Sequence, residues 1–122
     1  MLEFSLIMTL ILSLTMIGFG YLFIKKPPRT INYWYGYRTG MSGRNQDTWD
    51  FAHAYAGRVW LKSGWLTLLV SVPAVYLLRR TSNFEDLVLG LFYIQMMVLL
   101  LVIPITERAL RKTFDREGKR RN

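Results

Sequence analysis

The sequence contains no cysteine and only one histidine, His53. The missing thiols exclude disulfide bonds, thiolate catalysis and cysteine-based metal sites. One imidazole cannot complete a metal site alone, and the polar segments offer no convincing catalytic pair around it. We therefore predict no metal, no other cofactor and no enzymatic activity. A structural hydrogen-bonding role for His53 is favoured over a role as a base or a ligand.

Acidic residues are also scarce, with 8 Asp and Glu against 16 Lys and Arg and a net charge of +8. Nucleic-acid binding is one interpretation of such a basic chain, but no nucleic-acid reading motif accompanies the charge. The basic residues instead flank long apolar runs, as topogenic charges do in membrane proteins. We predict no direct contact with nucleic acid.

Apolar residues make up 52% of the chain and are gathered into long runs, at about residues 4–24, 60–78 and 87–105. About 20 residues at 1.5 Å per residue cross a hydrocarbon core of roughly 30 Å. The sequence therefore predicts a single all-α membrane domain, residues 1–122, with three transmembrane helices. Pro104 is expected to mark the end of the third. A cleaved signal peptide is the rival interpretation of the first run, but the chain starts Met-Leu-Glu and not with basic residues.

The positions of Lys and Arg predict the orientation of the spans. Seven lie in residues 25–62 and seven in the tail 107–122, whereas the turn between the second and third spans has two and the N-terminus none. Positive residues stay on the cytoplasmic side, so the N-terminus is expected outside and the C-terminus inside. The tail is expected to extend the third helix, to fray after Gly118 and to contact anionic lipid headgroups.

The polar segment 25–59 carries the motifs. Residues 32–39 read Asn-Tyr-Trp-Tyr-Gly-Tyr-Arg-Thr, with four aromatic residues in five positions around Gly36. An interfacial aromatic belt and a specific site are both open interpretations. The turn at 40–45 is glycine-rich, but it lacks the Gly-Lys-Ser/Thr of a phosphate loop. Asn45 or Asp47 is predicted to cap an interfacial helix over about residues 46–61, and whether this helix continues into the second span is left open.

The order of these residues resembles the signature of the SdpI family, which is named for a membrane immunity protein against a secreted sporulation-delaying toxin. The signature reads roughly N-x-W-Y-G-Y-R-T, then S-x-x-N, then W-x-x-A-H-x-x-A-G, between the first two spans of a three-span module. The match covers about residues 30–60. Its candidate functional residues here are Asn32, Trp34, Tyr35, Gly36, Tyr37, Arg38, Thr39, Ser42, Asn45, Trp49, His53 and Gly57.

The resemblance implies a multi-pass protein of the bacterial plasma membrane that protects the cell from a membrane-active peptide toxin. It also implies toxin-dependent capture of a cytoplasmic repressor. The named protein resembles two sets of three spans, whereas this chain has one. The expected partners are the lipid bilayer, a peptide toxin, a cytoplasmic repressor and, in a homo-oligomer, a second copy of the chain. The alternative function is a membrane scaffold or lipid-interacting subunit of a larger complex.

Overall fold

The computed structural model describes residues 2–32 and 35–121. Within them, regular structure is helical apart from one isolated bridge between Phe114 and Arg120. The helices are α1 (Leu2–Lys25), α2 (Gln46–Leu78), α3 (Phe84–Leu100) and α4 (Val102–Thr113). Helices α3 and α4 follow one another as a single rod, and three rods are long and apolar enough to cross a membrane. The predicted all-α architecture with three spans is confirmed.

The prediction of a separate interfacial helix over residues 46–61 is wrong. Helix α2 runs without interruption for 33 residues. Nothing ends it near residue 61, because residues 58–62 contain no proline or glycine. At 1.5 Å per residue α2 is about 50 Å long, well above a hydrocarbon core of roughly 30 Å. Its first four turns, which carry Asp47, Asp50 and Arg58, therefore extend beyond the apolar layer.

Pro104 lies where the third rod is interrupted, and its role as the end of the apolar span stays a prediction. Proline has no backbone N–H, so the carbonyl of Leu100 loses its usual donor, and the helix is interrupted at Leu101. Pro104 then lies in the first turn of α4, where a missing N–H costs little. Helix α4 carries the chain on to Thr113.

Helices α1 and α2 pack closely at glycines. A Cβ on Gly57 would lie 2.8 Å from the carbonyl oxygen of Gly20, and one on Gly20 would lie 2.6 Å from the backbone nitrogen of Leu61. These distances exclude any side chain unless the helices move apart. Small residues on both helices thus allow close backbone approach.

Several polar side chains of the spans face the interior of the helix bundle. Ser5, Thr9 and Ser13 are spaced four residues apart on α1 and are fully buried. Gln95 on α3 is 2% exposed and donates from Nε2 to Thr9 Oγ1 at 3.3 Å. Large apolar side chains cover the outside instead, as expected for a protein whose solvent is lipid.

The loop between α1 and α2 and the segment after α4 meet at one end of the bundle, called the loop end below. Arg120 forms a bidentate ion pair with Asp47, with both N–O distances at 2.9 Å. The predicted fraying after Gly118 is wrong. The Asp115 carboxylate accepts the N–H groups of Glu117 and Lys119, and Gly118, at φ +87°, lets the chain turn back onto α4.

Candidate functional site

The signature loop, residues 26–45, lies across the loop end and is fixed to the first turns of α2. The indole Nε1 of Trp49 donates to the carbonyl oxygen of Pro28 at 2.7 Å, and Trp49 is 1% exposed. Gln46 Nε2 donates to the carbonyl oxygen of Arg29 at 2.6 Å. The extended segment that leaves α1 through two prolines is thus hydrogen-bonded along one side of α2.

His53 lies at the centre of this arrangement and is fully buried. Its Nδ1 is 2.8 Å from the carbonyl oxygen of Trp49, and its Nε2 is 2.9 Å from the backbone nitrogen of Tyr37. A carbonyl only accepts, so Nδ1 carries the proton and Nε2 accepts the N–H of Tyr37. The imidazole is therefore neutral and both nitrogens are occupied. His53 holds the loop by hydrogen bonds, the structural role that the sequence favoured.

The surroundings of His53 keep it uncharged. Its ring centroid lies 5.0 Å from that of Phe23 on α1 and 4.5 Å from that of Trp49. Burial lowers the pKa of His53, against weaker opposing contributions from the Trp49 carbonyl and the charge of Asp50. A proton on Nε2 would also remove the acceptor for Tyr37, so protonation and the folded loop oppose each other.

Gly36 is required where the loop passes over the imidazole. Its φ is +107°, a backbone conformation that other residues rarely adopt. A Cβ there would lie 2.6 Å from His53 Nε2 and 3.0 Å from the Pro28 ring. Glycine thus places the next N–H, that of Tyr37, directly against Nε2.

Tyr37 connects the loop to the third rod and is 7% exposed. Its hydroxyl donates to Glu107 Oε1 at 2.9 Å and lies 3.2 Å from the carbonyl oxygen of Ile103. Burial, reinforced by the hydrogen bond and the charge of Glu107, raises the pKa of the Tyr37 phenol. Together with Phe23 on α1 and His53 on α2, this contact joins the loop to all three rods.

The turn at residues 39–45 is closed by side chains. The Thr39 N–H donates to Ser42 Oγ at 2.8 Å, and the Ser42 N–H donates to Thr39 Oγ1 at 3.1 Å. Asn45 then caps α2, with Oδ1 accepting the N–H of Thr48 at 2.9 Å while Thr48 Oγ1 accepts the N–H of Asn45 at 3.0 Å. Of the two predicted caps, Asn45 and not Asp47 is confirmed.

The other candidate residues lie around this centre. Trp34 falls outside the described residues. Asn32 Oδ1 accepts the N–H of Tyr35 at 2.9 Å, and the Tyr35 ring points outward, 57% exposed. Arg38 lines a cavity of about 260 Å³ between the loop and the helix ends. Gly57 lies farther along α2, at the crossing with α1. The aromatic cluster is thus divided, since Tyr37 is part of a specific packed site whereas Tyr35 is exposed, as a belt residue would be.

Three residues of the site were not predicted from the sequence. Thr48 completes the capping box, and its spacing three residues after Asn45 is a local signal that could have identified it. Glu107 and Gly118 contact residues 70 and 73 positions away, and no local pattern marks such pairs. The described residues contain no group of three or more His, Cys, Asp or Glu that could hold a metal ion.

Comparison with known proteins gives a match to a protein family. The family model described as the SdpI/YfhL protein family matches residues 29–106, which include most of the signature loop, α2, α3 and the start of α4. No curated protein and no solved structure gives a significant match.

Proposed function

Because the chain belongs to the SdpI/YfhL protein family, a family of non-enzymatic membrane proteins of the immunity type, we propose that it protects the cell from a membrane-active peptide toxin. The loop end is proposed to face the cytoplasm, with the N-terminus outside. The uneven distribution of Lys and Arg supports this orientation, since fourteen of sixteen lie in residues 25–62 and 107–122, which flank the spans on the side of the loop end.

One structural observation carries the proposal, namely that the signature loop is anchored to all three rods. Tyr37 bonds to Glu107, its backbone bonds to His53 on α2, and the His53 ring packs on Phe23 of α1. A peptide that changed the packing of the rods within the bilayer would therefore move the loop. This supports a protein that senses a toxin within the membrane and responds by a change in the position of the signature loop.

Capture of a cytoplasmic repressor is the second part of the proposal. The loop end presents exposed side chains, among them Tyr35 and Arg38, above the buried cluster. A regulator that bound these side chains would respond to the position of the loop. Copurification of a soluble regulator only after toxin treatment would support this part.

The test of immunity is survival of a toxin-sensitive bacterium that expresses the chain. Cells with the wild-type protein are expected to survive secreted membrane-active peptides that kill cells with an empty vector. The Gly36→Ala variant, whose Cβ would meet His53, is expected to lose protection. Gly40→Ala is the matched control, because a Cβ there meets nothing within 4 Å. Equal membrane amounts of the proteins with no protection by the wild type, across a panel of peptides, would contradict the proposal.

A scaffold or lipid-interacting subunit is the second candidate function. The observation that favours it is the exposure of α3, on which only Val88 and Gln95 are buried. Purification in mild detergent distinguishes the two functions. A different protein bound in constant stoichiometry would support the scaffold, whereas a single protomer or a homo-oligomer would not.

A further inference from the structure

A cavity rich in arginine lies at the loop end, on the side of α4 that faces the signature loop. Its volume is about 320 Å³, and it forms where the turn at 41–44, helix α4 and the folded-back tail meet. Four arginines and two carboxylates line it together with Met41 and Phe114. The charged lining residues are Arg44, Glu107, Arg111, Asp115, Arg116 and Arg121.

Both carboxylates of the cavity are already hydrogen-bonded. Glu107 Oε1 accepts from the hydroxyl of Tyr37, and Asp115 Oδ1 accepts from two backbone N–H groups of the tail turn. They therefore form part of the cavity walls. The four positive guanidinium groups outnumber the two negative carboxylates, so the lining has a net charge of +2. Three separate segments contribute to this lining, namely the turn at 41–44, helix α4 and the tail after it.

The fold-back of the tail positions one of these arginines. Arg121 Nε donates to the carbonyl oxygens of Arg111 and Phe114, at 2.9 and 3.0 Å, while its own N–H donates to the carbonyl of Thr113 at 2.8 Å. Phe114, whose ring lies under the guanidinium of the neighbouring Arg120, is fully buried. Holding a guanidinium in place before binding reduces the entropy lost when it contacts a ligand.

The arginine lining and the position of the cavity along α4 indicate the ligand chemistry. Arg111 is six residues beyond residue 105, the end of the apolar run, and therefore about 9 Å farther along the helix axis. The headgroup layer on each side of a bilayer is roughly 5–7 Å thick. Arg111 thus lies just outside the layer that holds lipid phosphates, and its long side chain can reach back into it. Guanidinium groups match phosphate oxygens with paired hydrogen bonds.

We propose that this cavity binds a phosphate group, either of an anionic lipid headgroup or of a small soluble phosphate compound. The bound phosphate would join the tail, α4 and the turn at 41–44, and so stabilise the closed loop end. The site does not depend on the proposed immunity function, because binding is measured on the purified chain and protection on cells.

The experiment measures thermal unfolding of the full chain in nanodiscs. One arm compares phosphatidylcholine discs with discs that also contain phosphatidylglycerol, and the other titrates inorganic pyrophosphate into phosphatidylcholine discs. The variant is Arg111→Gln, which keeps the backbone carbonyl that Arg121 uses. Lys112→Gln is the matched control, since it removes the same charge from the next residue but lines a different cavity.

Stabilisation by phosphatidylglycerol alone would identify a lipid headgroup as the source, and stabilisation by pyrophosphate would identify a soluble phosphate. In either case Arg111→Gln is expected to weaken the apparent affinity for the stabilising probe by about tenfold or more, as for the loss of one charged hydrogen bond. Lys112→Gln is expected to bind the probe about as well as the wild type. Equal losses in both variants would show diffuse surface charge and overturn the site. No response to either probe would also overturn it.

Discussion

At the scale of single residues, the site is a hydrogen-bonded cluster around an imidazole that must stay neutral. His53 is predictable as a structural residue because it is the only histidine and has no catalytic partner in the sequence. Its actual partner, the N–H of Tyr37, could not be predicted, because it depends on the positive φ of Gly36, seventeen residues before His53. The sequence shows only that glycine interrupts an aromatic run.

The first prediction concerns pH. Burial lowers the pKa of folded His53 below the value of about 6.5 for an exposed imidazole, so the unfolded chain binds more protons below that pH. The stability from neutral His53 is present above pH 6.5 and is lost as the pH falls through the pKa of the folded state. Unfolding in detergent between pH 7 and pH 5.5 is expected to show this loss, and His53→Gln to show a flatter profile. An identical pH dependence in both proteins would contradict it.

The second prediction compares two glycines of the loop. Gly36→Ala introduces a Cβ at φ +107°, 2.6 Å from His53 Nε2. Strained backbone of this kind costs of order 1–3 kcal/mol, and the free energy of unfolding is expected to fall by about that much. Gly40→Ala, with open space around its Cβ, is expected to change it by less than about 0.5 kcal/mol. Chemical denaturation in detergent measures both, and equal effects would exclude a specific contact at residue 36.

At the scale of helices, the spans were predictable because long apolar runs satisfy a simple length requirement. The ends of the helices were harder to predict. Helix α2 begins at a cap that is visible in the sequence, but its polar first turns run into the apolar span with no residue that would end the helix between them. The helix continues past Pro104, since proline breaks a helix interior but is tolerated in a first turn.

The third prediction concerns the crossing of α1 and α2. Gly20→Ala places a Cβ 2.6 Å from the backbone nitrogen of Leu61, and no flexible side chain can yield there. Overpacking of this type costs about 1–3 kcal/mol, so a lower unfolding midpoint is expected. Gly18→Ala, on the same helix with no atom within 4 Å of its Cβ, serves as control. A midpoint for Gly18→Ala as low as that for Gly20→Ala would point to a general effect of alanine in α1.

At the scale of the whole molecule, residues far apart in sequence close the loop end. The bonds between Asn45 and Gly118 and between Asp47 and Arg120 each link residues 73 positions apart. In the sequence, a tail of mixed charge is typical of a solvated segment. Its contacts with Asn45 and Asp47 are apparent only once the helices are folded. This is why the tail was expected to fray and instead packs on Phe114.

The fourth prediction separates the contributions of the tail. Phe114 is fully buried and packs edge to face on Phe51, so Phe114→Ala is expected to cost about 3–5 kcal/mol of unfolding free energy. Arg120 lies on the surface, where its ion pair with Asp47 is screened by water, and Arg120→Gln is expected to have almost no effect. The opposite ranking in denaturant titrations would show that the ion pair holds the tail.

The fifth prediction concerns orientation in the membrane. The chain has no native cysteine, so single substitutions report cleanly on accessibility. Ser82→Cys is expected to react with a membrane-impermeant maleimide on intact cells, whereas Gly40→Cys and Lys119→Cys are expected to react only after the cells are opened. Labelling of residues 40 and 119 from opposite sides would contradict the shared loop end.

Asn45 has a consequence for the tolerance of the chain to mutation. Its amide oxygen accepts the N–H of Thr48, and its amide nitrogen donates to the carbonyl of Gly118 at 2.7 Å. Aspartate, an equally good cap in an ordinary helix, would set one oxygen against another at this second contact, and serine has nothing long enough to reach it. Position 45 should therefore accept a narrower set of amino acids than other helix starts do, with asparagine alone meeting both demands.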